Sequence, residues 1–203
     1  MPYIIRPRRV RNILSAILGS AVLLGAVPAI ANAACPKSPS SKLLAALGDT
    51  SEYGLLTGSS FESGAGGWSM SNAEVVSGNA SYDVDGGSFA ALIKSNGSLV
   101  SPEFCVSSEY PSFRFFAREI SGGNLLSSLN VALRFKGILG LTQTVTVGQV
   151  QPSSSWALSP VLRLSSALPL WMPGSTLNVK LVLTPNFGGN WAVADVFIDP
   201  YSR

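Results

Sequence analysis

From residue 61 to the end of the chain, apolar and polar positions alternate with a period of two. Leu129, Val131, Leu133 and Phe135 alternate with Asn130, Ala132, Arg134 and Lys136, which predicts a strand with one buried and one wet face. In the run LTQTVTVG, Leu141, Gln143, Val145 and Val147 are set against Thr142, Thr144 and Thr146. The short, Gly-bounded link KGILG predicts a hairpin between the two strands. Further strands are predicted at residues 73–77, 89–94, 98–102, 112–119, 161–165, 177–185 and 190–198, separated by the turn-forming clusters SGNA, DVDGG, KSNGS, ISGGN, QPSSS, MPGST and PNFGGN. Many short strands with alternating faces and Gly-rich turns predict an all-β fold, an antiparallel jelly-roll β-sandwich. Ahead of it, residues 34–60 read as an N-terminal arm. Within the arm, SKLLAAL predicts one or two helical turns capped by Ser40 or Ser41 and ended by Gly48.

The opening segment follows a different pattern. Arg6, Arg8, Arg9 and Arg11 form a positive cluster, residues 13–30 are mostly apolar, and Ala31-Asn32-Ala33 places small residues at the cleavage positions. Residues 1–33 are therefore predicted to be a signal peptide, residues 34–60 the arm and residues 61–203 the sandwich. The competing reading is an uncleaved anchor, because roughly 18 apolar residues is near the lower limit for crossing a bilayer. Pro28 and the small-residue site favour cleavage, after which no stable membrane insertion is expected.

Cleavage changes the charge balance. The whole chain carries 14 Lys and Arg against 11 Asp and Glu, and four of the cations are the leader arginines, so the mature chain is slightly acidic. A nucleic-acid partner is excluded on this ground, since binding one needs clustered cations that displace counterions. The 2 cysteines, Cys35 and Cys105, are expected to pair in an oxidising compartment and fasten the arm to the sandwich. With no histidine and no CxxC spacing there is no zinc site.

FESGAGGW near the start of the sandwich and WAVADVFIDPY at its close, with the strand pattern between them, resemble the galactose-binding-like jelly rolls common among carbohydrate-binding modules. The runs SSFESGAGGWSMSNAEVVSGN, SPEFCVSSEYPSFRFFAR and TPNFGGNWAVADVFIDPYSR further resemble a group of exported actinobacterial β-sandwich proteins. That second resemblance implies a stand-alone secreted or cell-envelope sandwich and no activity. The first implies a structural calcium ion, held by the acid of the opening motif, Glu62, and one on the last strand, Asp195. The family pattern has a pair of acids on that strand, and here the first is Ala194. Ala194 shares its face with Val196 and Ile198, whereas Asp195 points to the other side, which leaves turn-capping or solvated acids as the competing reading.

Trp68 and Trp191 sit in the two end motifs among apolar neighbours and are expected to be core anchors. Trp156 and Trp171 lie in loops or at strand edges, where an aromatic ring can stack on a sugar ring or close over the end of the core. Trp171, with Leu168, Leu170 and Met172, equally reads as an apolar patch that docks a partner protein. In FRFFAR, Arg114, Phe116 and Arg118 share one face. The two arginines are candidates to grip an acidic sugar, and otherwise cover the outer sheet face and pair with Glu119 or Glu103.

A catalytic role has the least support in the sequence. Without histidine there is no triad of the common type, and no serine sits in a GxSxG elbow. Asp83 and Asp85 are the nearest thing to a glycosidase pair, but SYDVDGG reads first as an Asx-type turn. The leading expectation is a non-catalytic binding module with a polysaccharide or cell-wall glycan as ligand. A structural or interaction protein docking through residues 168–172 is the alternative, and a glycoside hydrolase the third.

Overall fold

The computed structural model describes Cys35 and residues 39–82, 84, 86–107, 112–137, 140–164 and 176–199. The predicted signal peptide, Asp83, Asp85, and the patch around Leu168 and Trp171 lie outside the described residues. Among the described residues ten strands follow in order: β1 (Ser40–Ser41), β2 (Tyr53–Leu55), β3 (Ser69–Ser77), β4 (Phe89–Val100), β5 (Phe104–Ser107), β6 (Ser112–Lys136), β7 (Thr142–Val150), β8 (Ala157–Leu158), β9 (Leu162–Arg163) and β10 (Thr176–Asp199). All of the pairings are antiparallel.

The strands at the centre are longer than the turn signals predict. β6 and β10 pair from Val179 opposite Phe135 to Asp199 opposite Ser112, with register shifts between Asn186 and Gly188, between Asn190 and Trp191, and between Ala194 and Phe197. The clusters ISGGN and PNFGGN are therefore bends in one continuous ribbon. Both strands carry their glycines at the same level, Gly123 opposite Gly188. A Cβ on Gly123 would lie 1.8 Å from Oε1 of Glu119, and one on Gly189 2.3 Å from the same atom, so only glycine lets this side chain cross the bend. KSNGS behaves in the same way inside β4, where Asn96 takes φ 64° and the β3–β4 register shifts between Ser71 and Ala73.

Each bend folds one half of a ribbon over the other. Ile93, Phe113, Phe115, Trp191 and Val193 from one layer meet Leu99, Leu129, Val131, Leu133, Val179, Leu181 and Leu183 from the other in a single buried cluster. The result is the expected all-β, antiparallel jelly-roll sandwich. β6 and β7 form the predicted hairpin, from Leu129 opposite Val150 to Lys136 opposite Thr142. On its predicted inward face only Val145 and Val147 reach the core, while Leu141 and Gln143 near the turn are exposed. Among the described residues of the strand predicted at 161–165, Leu162–Arg163 forms β9.

The arm adds strands and a lid. β2 pairs with the end of β10, Phe197 opposite Leu55, and β1 pairs with β2. The predicted helical turn is a 3-10 turn, Ala45–Leu47, closed by Gly48 at φ 83°. Ser40 and Ser41 do not cap it, because their backbone is engaged in β1 and Leu44 occupies the cap position without a side-chain hydrogen bond. Leu44 and Tyr53 are buried with Ala80, Phe116 and Phe197 in a second cluster on the outer face of the first layer. Cys35 is bonded to Cys105 on β5 as expected.

Candidate functional site

The motif FESGAGGW is structural. Phe61 and Trp68 are buried with ring centroids 5.5 Å apart, and the Trp68 Nε1 donates to the Thr57 carbonyl at 3.1 Å. The turn between them closes because Gly58 and Gly66 touch backbone to backbone: a Cβ on Gly58 would fall 2.2 Å from the Gly66 carbonyl oxygen. Glu62 is exposed, and its Oε1 accepts the amides of Ser88 and Phe89 at 2.6 and 2.8 Å, fixing the start of β4. Asp195, by contrast, is fully buried at φ 52°, and its amide donates to the Ser59 carbonyl at 3.1 Å. Calcium needs six to eight oxygens. Among the described residues no group of three or more His, Cys, Asp or Glu gathers around either acid. Trp191, like Trp68, is a core anchor and is wholly buried.

On the outer face of the first layer, β6 directs Arg114, Phe116 and Arg118 away from the core. Phe116 is completely buried, held between Phe197 (6.1 Å between centroids) and Tyr82 (5.3 Å, interplanar angle 24°). β8 pairs alongside, Leu158 opposite Phe116, and brings the preceding Trp156 under Arg118, whose guanidinium carbon lies 5.0 Å from the ring centroid. Arg114 donates from Nε to the Ser159 carbonyl at 3.2 Å. Neither arginine pairs with Glu119 or Glu103. Glu119 instead accepts from Ser127 Oγ at 2.5 Å across the bend, and Glu103 lies on the other layer.

Two of the sequence-predicted ligand residues, Trp156 and Arg118, are therefore in contact, and Arg114 lies on the same face without joining them. Trp171 lies outside the described residues. Tyr82 completes the cluster and was not singled out in the sequence. It is 43% exposed, with one ring face stacked against Phe116. The turn that carries it runs beside Arg118: a Cβ on Gly78 would sit 3.9 Å from Arg118 Nη2. Two donors here, Arg118 Nε and Asn79 Nδ2, are buried without a hydrogen-bond partner. Leaving such a donor unsatisfied costs about 1–3 kcal/mol.

The outer face of the second layer is exposed and polar. Arg134 and Lys136 on β6, Lys180 on β10, and Thr142 and Thr144 on β7 all reach solvent there. A cleft of about 600 Å³ opens on this face, lined by Glu103, Arg134, Lys136, Asn178 and Lys180, with Phe135 and Leu177 as its apolar wall. The alternation in the sequence places Arg134 and Lys136 on the wet face. Their proximity to Lys180 appears only with the β6–β10 register.

No protein-family description matches the chain, and no curated protein matches it in sequence. Solved structures do match. The chain is similar to the CBM22-1 and GH10 modules of the N-terminal endo-1,4-beta-D-xylanase 10B of Clostridium thermocellum, complexed with xylohexaose. That match has 12% identity and a TM-score of 0.50, over 71% of this chain and 28% of that one. A structure described as TmCBM61 in complex with beta-1,4-galactotriose matches at 16% identity and a TM-score of 0.44, over 70% of this chain and 95% of that one. The family 11 carbohydrate-binding module of the cellulosomal cellulase Lic26A-Cel5E of Clostridium thermocellum matches at 13% identity and a TM-score of 0.44, over 72% and 94%. At these identities the likeness is one of fold.

Proposed function

We propose that the chain is a non-catalytic, exported glycan-binding module whose sugar platform is formed by Tyr82, Arg118 and Trp156. The observation that carries this reading is the partly exposed Tyr82 ring on the same face as the stacked Arg118–Trp156 pair. An aromatic face next to hydrogen-bond donors suits a pyranose, which presents an apolar ring face and a rim of hydroxyl oxygens. The likeness of fold to part of a xylanase chain that was complexed with xylohexaose supports the ligand class. The Cys35–Cys105 bridge supports export, since such bridges persist in oxidising compartments. Among the described residues no helix is long and apolar enough to cross a membrane.

Titration calorimetry with xylo-, gluco- and galacto-oligosaccharides tests the reading. One of these classes should bind, and Tyr82→Ala should weaken it about tenfold, the loss typical of a contact residue worth more than 1 kcal/mol. Absence of heat with every oligosaccharide, or a Tyr82→Ala variant that binds like the parent, would count against it.

A further inference from the structure

We infer that the cleft on the opposite face of the sandwich is a separate site for an anionic polysaccharide, one whose sugars carry carboxylates. The inference goes beyond the proposed glycan platform and shares only the ligand class with it.

The register sets the geometry. Lys180 stands directly opposite Arg134 in the β6–β10 ladder, and Lys136 lies two residues further along on the same face. Positions opposite each other on paired strands are about 5 Å apart, and i,i+2 positions about 7 Å apart. Three cationic side chains therefore rise from one small patch, and like charges placed this way repel. Among the described residues none of the three forms an ion pair, and Glu103 is the acid in the cleft lining, so the patch keeps a net positive charge. An anion would convert the repulsion into attraction.

The rest of the lining argues for a sugar over a bare ion. Asn178 and Thr142 offer neutral hydrogen-bond partners, and the half-buried Leu177 offers apolar surface at the edge of the cleft. The cleft volume of about 600 Å³ is within the range of small-molecule sites. Arg134 brings a planar fork that matches a carboxylate with two parallel hydrogen bonds.

The test measures affinity of the full exported chain for polygalacturonate, for the same polymer methyl-esterified, for neutral xylan and for inorganic polyphosphate. Arg134→Gln and Lys180→Gln are the variants. Polygalacturonate should bind, weaken steeply with added salt, and lose about tenfold per charge removed, as for a charge-assisted hydrogen bond. Both variants should melt no lower than the parent, since each relieves repulsion and breaks no pairing. Equal binding of the esterified polymer, unchanged affinity in both variants, or tighter binding of polyphosphate than of polygalacturonate would overturn the inference. Tyr82→Ala should leave polygalacturonate binding intact, so failure of the neutral-sugar platform and failure of this cleft are read separately.

Discussion

The bridge between Cys35 and Cys105 spans 70 residues of sequence and joins the arm to β5. Closing a loop of that length removes chain entropy from the unfolded state worth about 4.4 kcal/mol. Leu44 and Tyr53 dock the arm in the second cluster whether or not the bridge is closed, so the loss is moderated only by the freedom the few residues before Leu44 regain in the folded state. We therefore expect Cys35→Ser and Cys105→Ser each to destabilise by about 3–4.5 kcal/mol. For a domain of this size that corresponds to a fall in Tm of roughly 6–18 °C. Both cysteines are half-buried, so neither substitution should add much of a packing term of its own. The two single variants, the double variant and the reduced parent should then melt within a few degrees of one another. Thermal unfolding followed by near-UV circular dichroism, with a thiol titration of the native protein, makes the comparison. Free thiols in the native protein, or single variants that melt far apart, would refute the reasoning.

Other positions carry predictions of their own. Phe116→Ala empties the centre of the second cluster and should cost about 3–5 kcal/mol in denaturant unfolding, with loss of protection at β2. Gly58→Ala forces a Cβ against the Gly66 carbonyl at positive φ, so it should destabilise well beyond the roughly 1 kcal/mol of an ordinary surface change; a neutral result would mean the turn is built differently. Glu62→Gln should lower Tm by the same amount in calcium and in chelator, because the carboxylate holds the Ser88 and Phe89 amides; a loss seen only in calcium would show that a metal is the partner.

The parts of the fold that depend on local pattern were legible in the sequence. The β6–β7 hairpin follows from alternation and a Gly-bounded link, and the burial of Trp68 and Trp191 follows from their apolar neighbours. The continuous ribbons were not legible, because ISGGN or PNFGGN alone carries the same signal as a chain reversal. Only the placement of Gly123 opposite Gly188 in the paired strand turns the two clusters into a shared bend. The proposed binding face was half legible for the same reason. Arg118 and Trp156 stood out as a cation and a loop aromatic, but Tyr82 gains its role from Phe116, a residue distant in sequence on which its ring is stacked. The basic cleft likewise needs Lys180 beside Arg134, a contact between strands that lie far apart in the chain.

The central claim is that this sandwich binds glycans through the Tyr82 face. A depletion pull-down of the chain on insoluble polysaccharides and purified cell wall, run beside Tyr82→Ala, measures it most directly. The account predicts retention on at least one matrix, competed by free oligosaccharide and lost in the variant. Passage of the parent chain through every matrix, or retention that Tyr82→Ala leaves unchanged, would contradict it.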